Sequence, residues 1–161
     1  MPDKKNKGEQ GTQMSTQAAI PRQITIATTD ATILATYKVM SQLRPHVQES
    51  DYLRLVKIQQ SEVGYQLACL TEDRTVACVA GFRLNRSLGW GKYLYVDDLV
   101  TDERYRSAGA GKAMFDWLVA HARNHQCGEL RLDSAVQRYG AHRFYLRERM
   151  DIVAHHFRLT L

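Results

Sequence analysis

Polar and apolar residues alternate across Gln23 to Thr28 (QITIAT), the period of two that predicts a strand with one buried face. Thr29 or Asp30 can then cap a helix carried by Ile33, Leu34, Tyr37, Val39 and Met40, which Pro45 ends. A second helix is predicted over Ser50 to Gln60, where Leu53, Val56 and Lys57 share a face, and Gly64 turns the chain. Two strands follow, Tyr65 to Thr71 and Thr75 to Leu84, and the tight Glu72-Asp73-Arg74 connection marks them as an antiparallel hairpin. Asn85 to Gly91, with Gly89 and Gly91, reads as a loop. Tyr93 to Thr101 (YLYVDDLVT) is rich in aromatic and branched residues and predicts a fourth strand. A helix from about Gly109 to His125 places Met114, Leu118 and His121 or Ala122 on one stripe. Glu129 to Val136 predicts a fifth strand, Ala141 to Arg149 a short helix, and Ile152 to Leu161 a last strand. The order is β-α-α-β-β-β-α-β-α-β, without repeats, which defines a mixed α/β (α+β) domain.

A chain of 161 residues, 44% apolar and 24% charged, suits a single domain with a proper core. Residues 1–13 are polar, contain Gly8 and Gly11 and precede an internal Met14-Ser15, so they read as a disordered leader or extension, with the domain over 14–161. No run of about 18 apolar residues is present and the first residues lack the apolar stretch of a secretory signal, so a cytoplasmic protein without a membrane span is expected. Cys69, Cys78 and Cys127 form an odd set with no CxxC pair, which suits reduced core thiols better than disulfides or zinc. The neighbours His155 and His156 would point opposite ways on a strand, a poor metal pair, so no metal site is expected. The net charge of +5 reads either as attraction for nucleic acid or an anionic cofactor, or as an ordinary solvated surface helped by a lysine-containing tail. The second reading is preferred.

The stretch Arg104-Tyr105-Arg106-Ser107-Ala108-Gly109-Ala110-Gly111-Lys112 changes the picture, because it sets nearly bare backbone among cations at the mouth of a helix. The first amides of a helix have no intrahelical partners and carry the positive end of the peptide dipoles, so such a junction binds anions, phosphate above all. Gly109 and Gly111 permit close approach and unusual dihedrals, and Arg106 and Lys112 add charge. A nucleotide P-loop, GxxxxGK[ST], does not fit: Arg106 occupies the first glycine position and Ala113 the hydroxyl position. The dinucleotide fingerprint GxGxxG fails at Met114, and two antiparallel-type strands precede the turn.

What remains is R-x-x-G-x-G, Arg106 to Gly111, after Asp98-Leu99-Val100-Thr101, together with Ala141-His142-Arg143-Phe144-Tyr145 on the later short helix. In these two blocks and in element order, residues 22 to 161 resemble the GCN5-related N-acetyltransferase (GNAT) superfamily. The resemblance implies a mostly antiparallel central sheet flanked by helices, and acetyl-CoA as co-substrate. It implies that the amides of Ser107, Ala108, Gly109, Ala110, Gly111 and Lys112, with Arg106, hold the pyrophosphate. The backbone of Leu99, Val100 and Thr101 would pair with the pantetheine arm, and Ser134 would line the gap where the fourth and fifth strands splay. Tyr145 would stand beside the thioester sulfur as the donor that stabilises the departing thiolate.

The acceptor must lose a proton. Some family members carry a glutamate on the fourth strand where this chain has Tyr95; Asp97, on the same face by strand alternation, is the candidate base, while Asp98 points to the other face. The competing reading pairs Asp97 or Asp98 with an arginine and leaves a water chain to a remote acid. The chain departs from the family at Arg138, where asparagine is frequent, at Glu103 in place of proline, at Ser107 in place of glycine, and at Arg149-Met150 in place of Gly-Phe. The family resemblance assigns substrate choice to the segment Leu43 to Glu49, with Asn85 to Lys92 on the same side. A primary amine on a small molecule is the leading acceptor. The alternatives are a protein amine or aminoacyl-tRNA, and a non-catalytic acyl-CoA-binding module. The resemblance also leaves room for a homodimer.

Overall fold

A computed structural model describes residues 22–161; the leader expected over residues 1–13 lies outside the described residues. Five strands lie side by side in chain order: β1 (Gln23–Ile26), β2 (Gln66–Glu72), β3 (Thr75–Ser87), β4 (Gly91–Thr101) and β5 (Glu129–Leu132). The first four pair antiparallel, and β5 joins β4 in parallel, as the crossover through a helix requires. Helices α1 (Asp30–Ala35), α2 (Tyr37–Met40) and α3 (Glu49–Val63) precede β2; α4 (Ala110–Asn124) and α5 (Tyr139–Arg147) flank β5 in sequence.

Local chemistry accounts for the boundaries. Thr29 caps α1 in a reciprocal arrangement with Thr32. The single helix expected over 30–40 is broken at Thr36, whose hydroxyl donates back to the Ile33 carbonyl (2.6 Å) and meets the Tyr52 hydroxyl (2.8 Å) in the core. Gly64 ends α3 in the left-handed conformation. Asp73 and Arg74 both take positive φ, so a two-residue turn of the twisted type links β2 to β3.

Three expectations need correction. The loop expected over Asn85 to Gly91 is largely strand: Asn85 pairs with Tyr93 and Arg86 with Lys92 in a hairpin whose tip is steadied by Trp90 packing edge-on against Tyr93 and by Arg131 over the Trp90 ring. The strand expected to reach Val136 stops at Leu132, because β5 has no partner beyond the Val96–Leu132 pair. The last strand expected over Ile152 to Leu161 does not form. Those residues form no regular element, pair with no strand among the described residues, and are exposed.

The sheet separates two apolar cores. Under α4 lie Met114, Leu118 and Ala122 with Leu70, Phe82, Leu94 and Val96; under α1 to α3 lie Ile33, Val39, Tyr52, Val56, Leu67, Val79 and Val100. Each fully buried aliphatic or aromatic side chain there contributes about 1.5–3 kcal/mol relative to exposure. Cys69, Cys78 and Cys127 are free thiols, the first two in the core.

Candidate active site

The register of β3 on β4 shifts between Gly81 and Phe82, so β4 carries one extra residue at the Asp97 position. Before the bulge, Leu94 and Val96 face the α4 core; after it, Leu99 faces that core and Val100 the other. Strict alternation therefore fails, and Asp98 is not turned away from Tyr95 and Asp97. All three line one cavity of about 530 Å³ with Met40, Arg44, Tyr52 and Asp133.

Charged pairs pin the bulge. Arg44, from the segment after α2, donates to the Asp98 carboxylate (2.7 Å) and to the Asp97 carbonyl (3.0 Å). The buried Tyr65 hydroxyl donates to the other Asp98 oxygen (2.8 Å), and burial followed by that charge pushes its pKa well up. Gly81 is required here, since a Cβ at that position would overlap the Tyr65 ring. Arg83 grips Asp97 through two bonds of 2.8 and 2.7 Å. Both acids of β4 are thus held by arginines, the competing arrangement raised by the sequence. Tyr95 donates to Asp133 Oδ2 (2.6 Å), an oxygen that also meets His156 Nδ1 (2.9 Å), which leaves Asp133 Oδ1 without a partner among the described residues. Burial, then Asp133, raises the Tyr95 pKa.

Beyond Val96 and Leu132 the two parallel strands part, so residues 97–101 of β4 bond to β3 on one side only. A second cavity of about 150 Å³ opens in this gap, lined by Leu99, Ser134, Arg138, Ala141 and Tyr145. It shares Arg44, Val96, Asp97 and Asp133 with the first cavity, so the two meet at the bulge. Burial raises the Tyr145 pKa, partly offset by Arg138, and the phenol stays protonated at neutral pH. Ser134 Oγ is buried without a hydrogen-bond partner among the described residues.

At the far end of β4 the loop turns through Ser107 (φ 63°) and Gly109 (φ 84°), and α4 begins without a side-chain cap. The Ala108 amide makes a long bond to the Tyr105 carbonyl (3.4 Å), and the first helical bond is Ala113 to Gly109 (3.0 Å). The amides of Ser107, Gly109, Ala110, Gly111 and Lys112 have no backbone partner among the described residues. Gly111 serves packing as well as access, since a Cβ there would come within 2.9 Å of Thr101 Oγ1. Arg106 is exposed, but the Lys112 ammonium is shared by Asp116 (2.6 Å) and Glu148 (3.3 Å), so its side chain is turned to carboxylates rather than left free for an anion. Sequence reasoning missed Arg22, which joins Glu72 (3.0 Å) to the Ala108 carbonyl (2.5 Å) and brings a guanidinium over Gly109. It also missed Asp133, which follows β5 on a segment with no motif of its own. No group of three or more His, Cys, Asp or Glu that could hold a metal occurs among the described residues, and no described helix is long and apolar enough to cross a membrane.

Asp102 anchors the loop from below. Fully buried, it accepts from the Arg104 amide (3.0 Å) and guanidinium (2.6 Å), while its own amide donates to the Ala77 carbonyl (2.9 Å). The Arg104 hydrogen bonds pull its pKa from 3.8 to about 2. A depressed carboxylate stabilises the fold above its unfolded pKa and loses that contribution as pH falls through the folded value. Asp102→Ala should therefore cost about 1–3 kcal/mol at neutral pH. In thermal melts the gap to the parent chain should narrow as pH drops from 4 toward 2.

A sheet opened between parallel strands, an uncapped helix behind a glycine turn and two cavities joined at a bulge form a cleft suited to an extended ligand with an anionic end. The comparisons specify the class. Residues 33–150 match the model of the acetyltransferase (GNAT) family, and the chain belongs to that family. It is 34% identical over 109 residues, 68% of this chain and 77% of the relative, to an uncharacterized N-acetyltransferase, YhdJ, of Bacillus subtilis. Among solved structures, an acetyltransferase of Trypanosoma brucei superposes with a TM-score of 0.71 at 18% identity, covering 88% of this chain and all of the other. An aminoglycoside N-acetyltransferase solved with CoA gives 0.72 at 13% identity, covering 88% and 97%. The protein is an N-acetyltransferase of a family that uses acetyl-CoA.

Proposed function

We propose that this enzyme acetylates a primary amine on a small molecule. The observation that carries the reading is the meeting of the two cavities at Val96, Asp97 and Asp133. The larger cavity falls in the volume range of small-ligand sites, and of its three aspartates Asp133 keeps one carboxylate oxygen without a partner among the described residues, a group that suits a cationic acceptor. The reading includes a cytoplasmic setting, in which the thiols of Cys69, Cys78 and Cys127 stay reduced.

In this reading the unpartnered amides from Ser107 to Lys112, with Arg106 and Arg22 beside them, hold the pyrophosphate, the Ala108 amide completing the turn. The open edge of Leu99, Val100 and Thr101 takes the pantetheine amides, and Ser134 Oγ supplies a further donor. When bound, acetyl-CoA presents the acetyl group as a thioester. Tyr145, kept protonated by burial, donates a hydrogen bond to the leaving sulfur. Asp97, its carboxylate bound by Arg83, orients the acceptor, and the amine proton passes by water to the free oxygen of Asp133.

Two measurements test this. CoA release should be fast with some member of a panel of small primary amines and slow with peptides and aminoacyl-tRNA; the reverse ranking refutes the acceptor class. Asp133→Asn should lower kcat/KM about 10²-fold at neutral pH, with a smaller deficit at high pH, where the amine is already a free base. A deficit independent of pH would remove Asp133 from proton transfer.

A further inference from the structure

The larger cavity has two unlike ends. Arg44, Val96, Asp97 and Asp133 are shared with the smaller cavity and mark the end nearer Tyr145. The unshared end is walled by one face of α3, where Tyr52, Leu55, Val56 and Gln59 recur at the i, i+3, i+4, i+7 spacing, and by Met40 and Val47.

The polar atoms toward α3 are already engaged. The Tyr52 hydroxyl meets Thr36 Oγ1 (2.8 Å), and the Tyr65 hydroxyl donates to Asp98 (2.8 Å), so the two rings add carbon surface to the wall. Asp98 has one oxygen on Arg44 and the other on Tyr65, and both oxygens of Asp97 are held by Arg83. Only Asp133, at the shared end, keeps a carboxylate oxygen without a partner among the described residues. The cavity therefore offers one open anionic group at one end and none at the other.

Leu55 has no other duty in the fold. Its helix neighbours Tyr52 and Val56 belong to the core under α1 to α3, but Leu55, half-buried, is in neither apolar core and lines the cavity instead.

We propose that the acceptor is a monoamine with an apolar body, its ammonium end at Asp133 and its hydrocarbon or aromatic end against α3, and that Leu55 sets this choice. The inference deepens the small-amine reading above and rests on it. A second ammonium at the α3 end would lose water without gaining a carboxylate, whereas each methylene laid on that wall leaves water at a gain.

CoA release with two amines of equal length, heptylamine and 1,6-diaminohexane, tests this. Heptylamine should have the higher kcat/KM by on the order of 10²-fold. From propylamine upward, kcat/KM should climb about fourfold per methylene until the cavity is filled. Leu55→Asp sets a carboxylate on the α3 wall and should bring the ratio of the two amines to about one or below. Gln59→Glu, one turn along the same face at an exposed position, should move the ratio the same way by about tenfold and covers the case in which Leu55→Asp misfolds. Equal rates for the two amines in the parent chain, or a preference for the diamine, overturn the proposal, as does a ratio that neither variant moves. Those results leave a small amine as the acceptor. Turnover of peptides or aminoacyl-tRNA with neither alkylamine used would instead overturn the small-amine reading, and this inference with it.

Discussion

Tyr145→Phe should lower kcat about 10²-fold while leaving acetyl-CoA affinity within about twofold, because it removes one hydrogen-bond donor to developing charge and no ordinary packing. The phenol lies on α5 in the gap between β4 and β5, with Ser134 and Leu99 on the same small cavity. Its raised pKa keeps the proton on the oxygen throughout the neutral range, so its contribution should not titrate between pH 6 and 9. Single-turnover acetyl transfer, which isolates chemistry from product release, reads the effect. Full single-turnover rate in the variant would remove the tyrosine from the chemical step.

The second large effect lies in the loop. In Gly111→Val the branched side chain meets Thr101 Oγ1, which a bare Cβ already approaches to 2.9 Å, and Thr101 is itself tied to Cys78 Sγ (3.4 Å). Either Thr101 yields or α4 moves away from β4, and the amides at the helix start lose their common aim. Acetyl-CoA binding should weaken on the order of 10²-fold, which at 1.4 kcal/mol per decade corresponds to two or so charge-assisted hydrogen bonds. Calorimetric titration measures it, with circular dichroism as the check that the fold persists. Unchanged affinity would show that these amides do not hold the coenzyme.

Much of this was legible in the sequence because local chemistry and global fold agree there. Period-two alternation found β1, the tight Glu72-Asp73-Arg74 turn found β2 and β3, aromatic and branched residues found β4, the R-x-x-G-x-G stretch found the uncapped start of α4, and the later A-x-x-F-Y placed Tyr145 on α5. Where tertiary pairing decides, sequence reasoning failed. Thr36 breaks a helix because its hydroxyl has a partner on α3. Asn85 and Arg86 are strand because β4 lies across from them. The bulge at Asp97 is a mismatch between two strands, invisible in either alone, and it cancelled the alternation argument that separated Asp97 from Asp98. Residues 152–161 do carry a strand pattern, but a pattern does not say which edge completes it.

The central claim is that bare main-chain donors just past β4 grasp the diphosphate of the coenzyme and so aim the acetyl group at the junction near Asp97 and Asp133. A titration of the 15N-labelled protein with CoA, followed by amide chemical shifts, tests it most directly. The largest shifts should fall on Ser107 to Lys112, and pantetheine, which lacks the diphosphate, should leave those amides nearly unmoved while still shifting Leu99 to Thr101. Saturation by CoA with the Ser107 to Lys112 amides undisturbed would contradict the account.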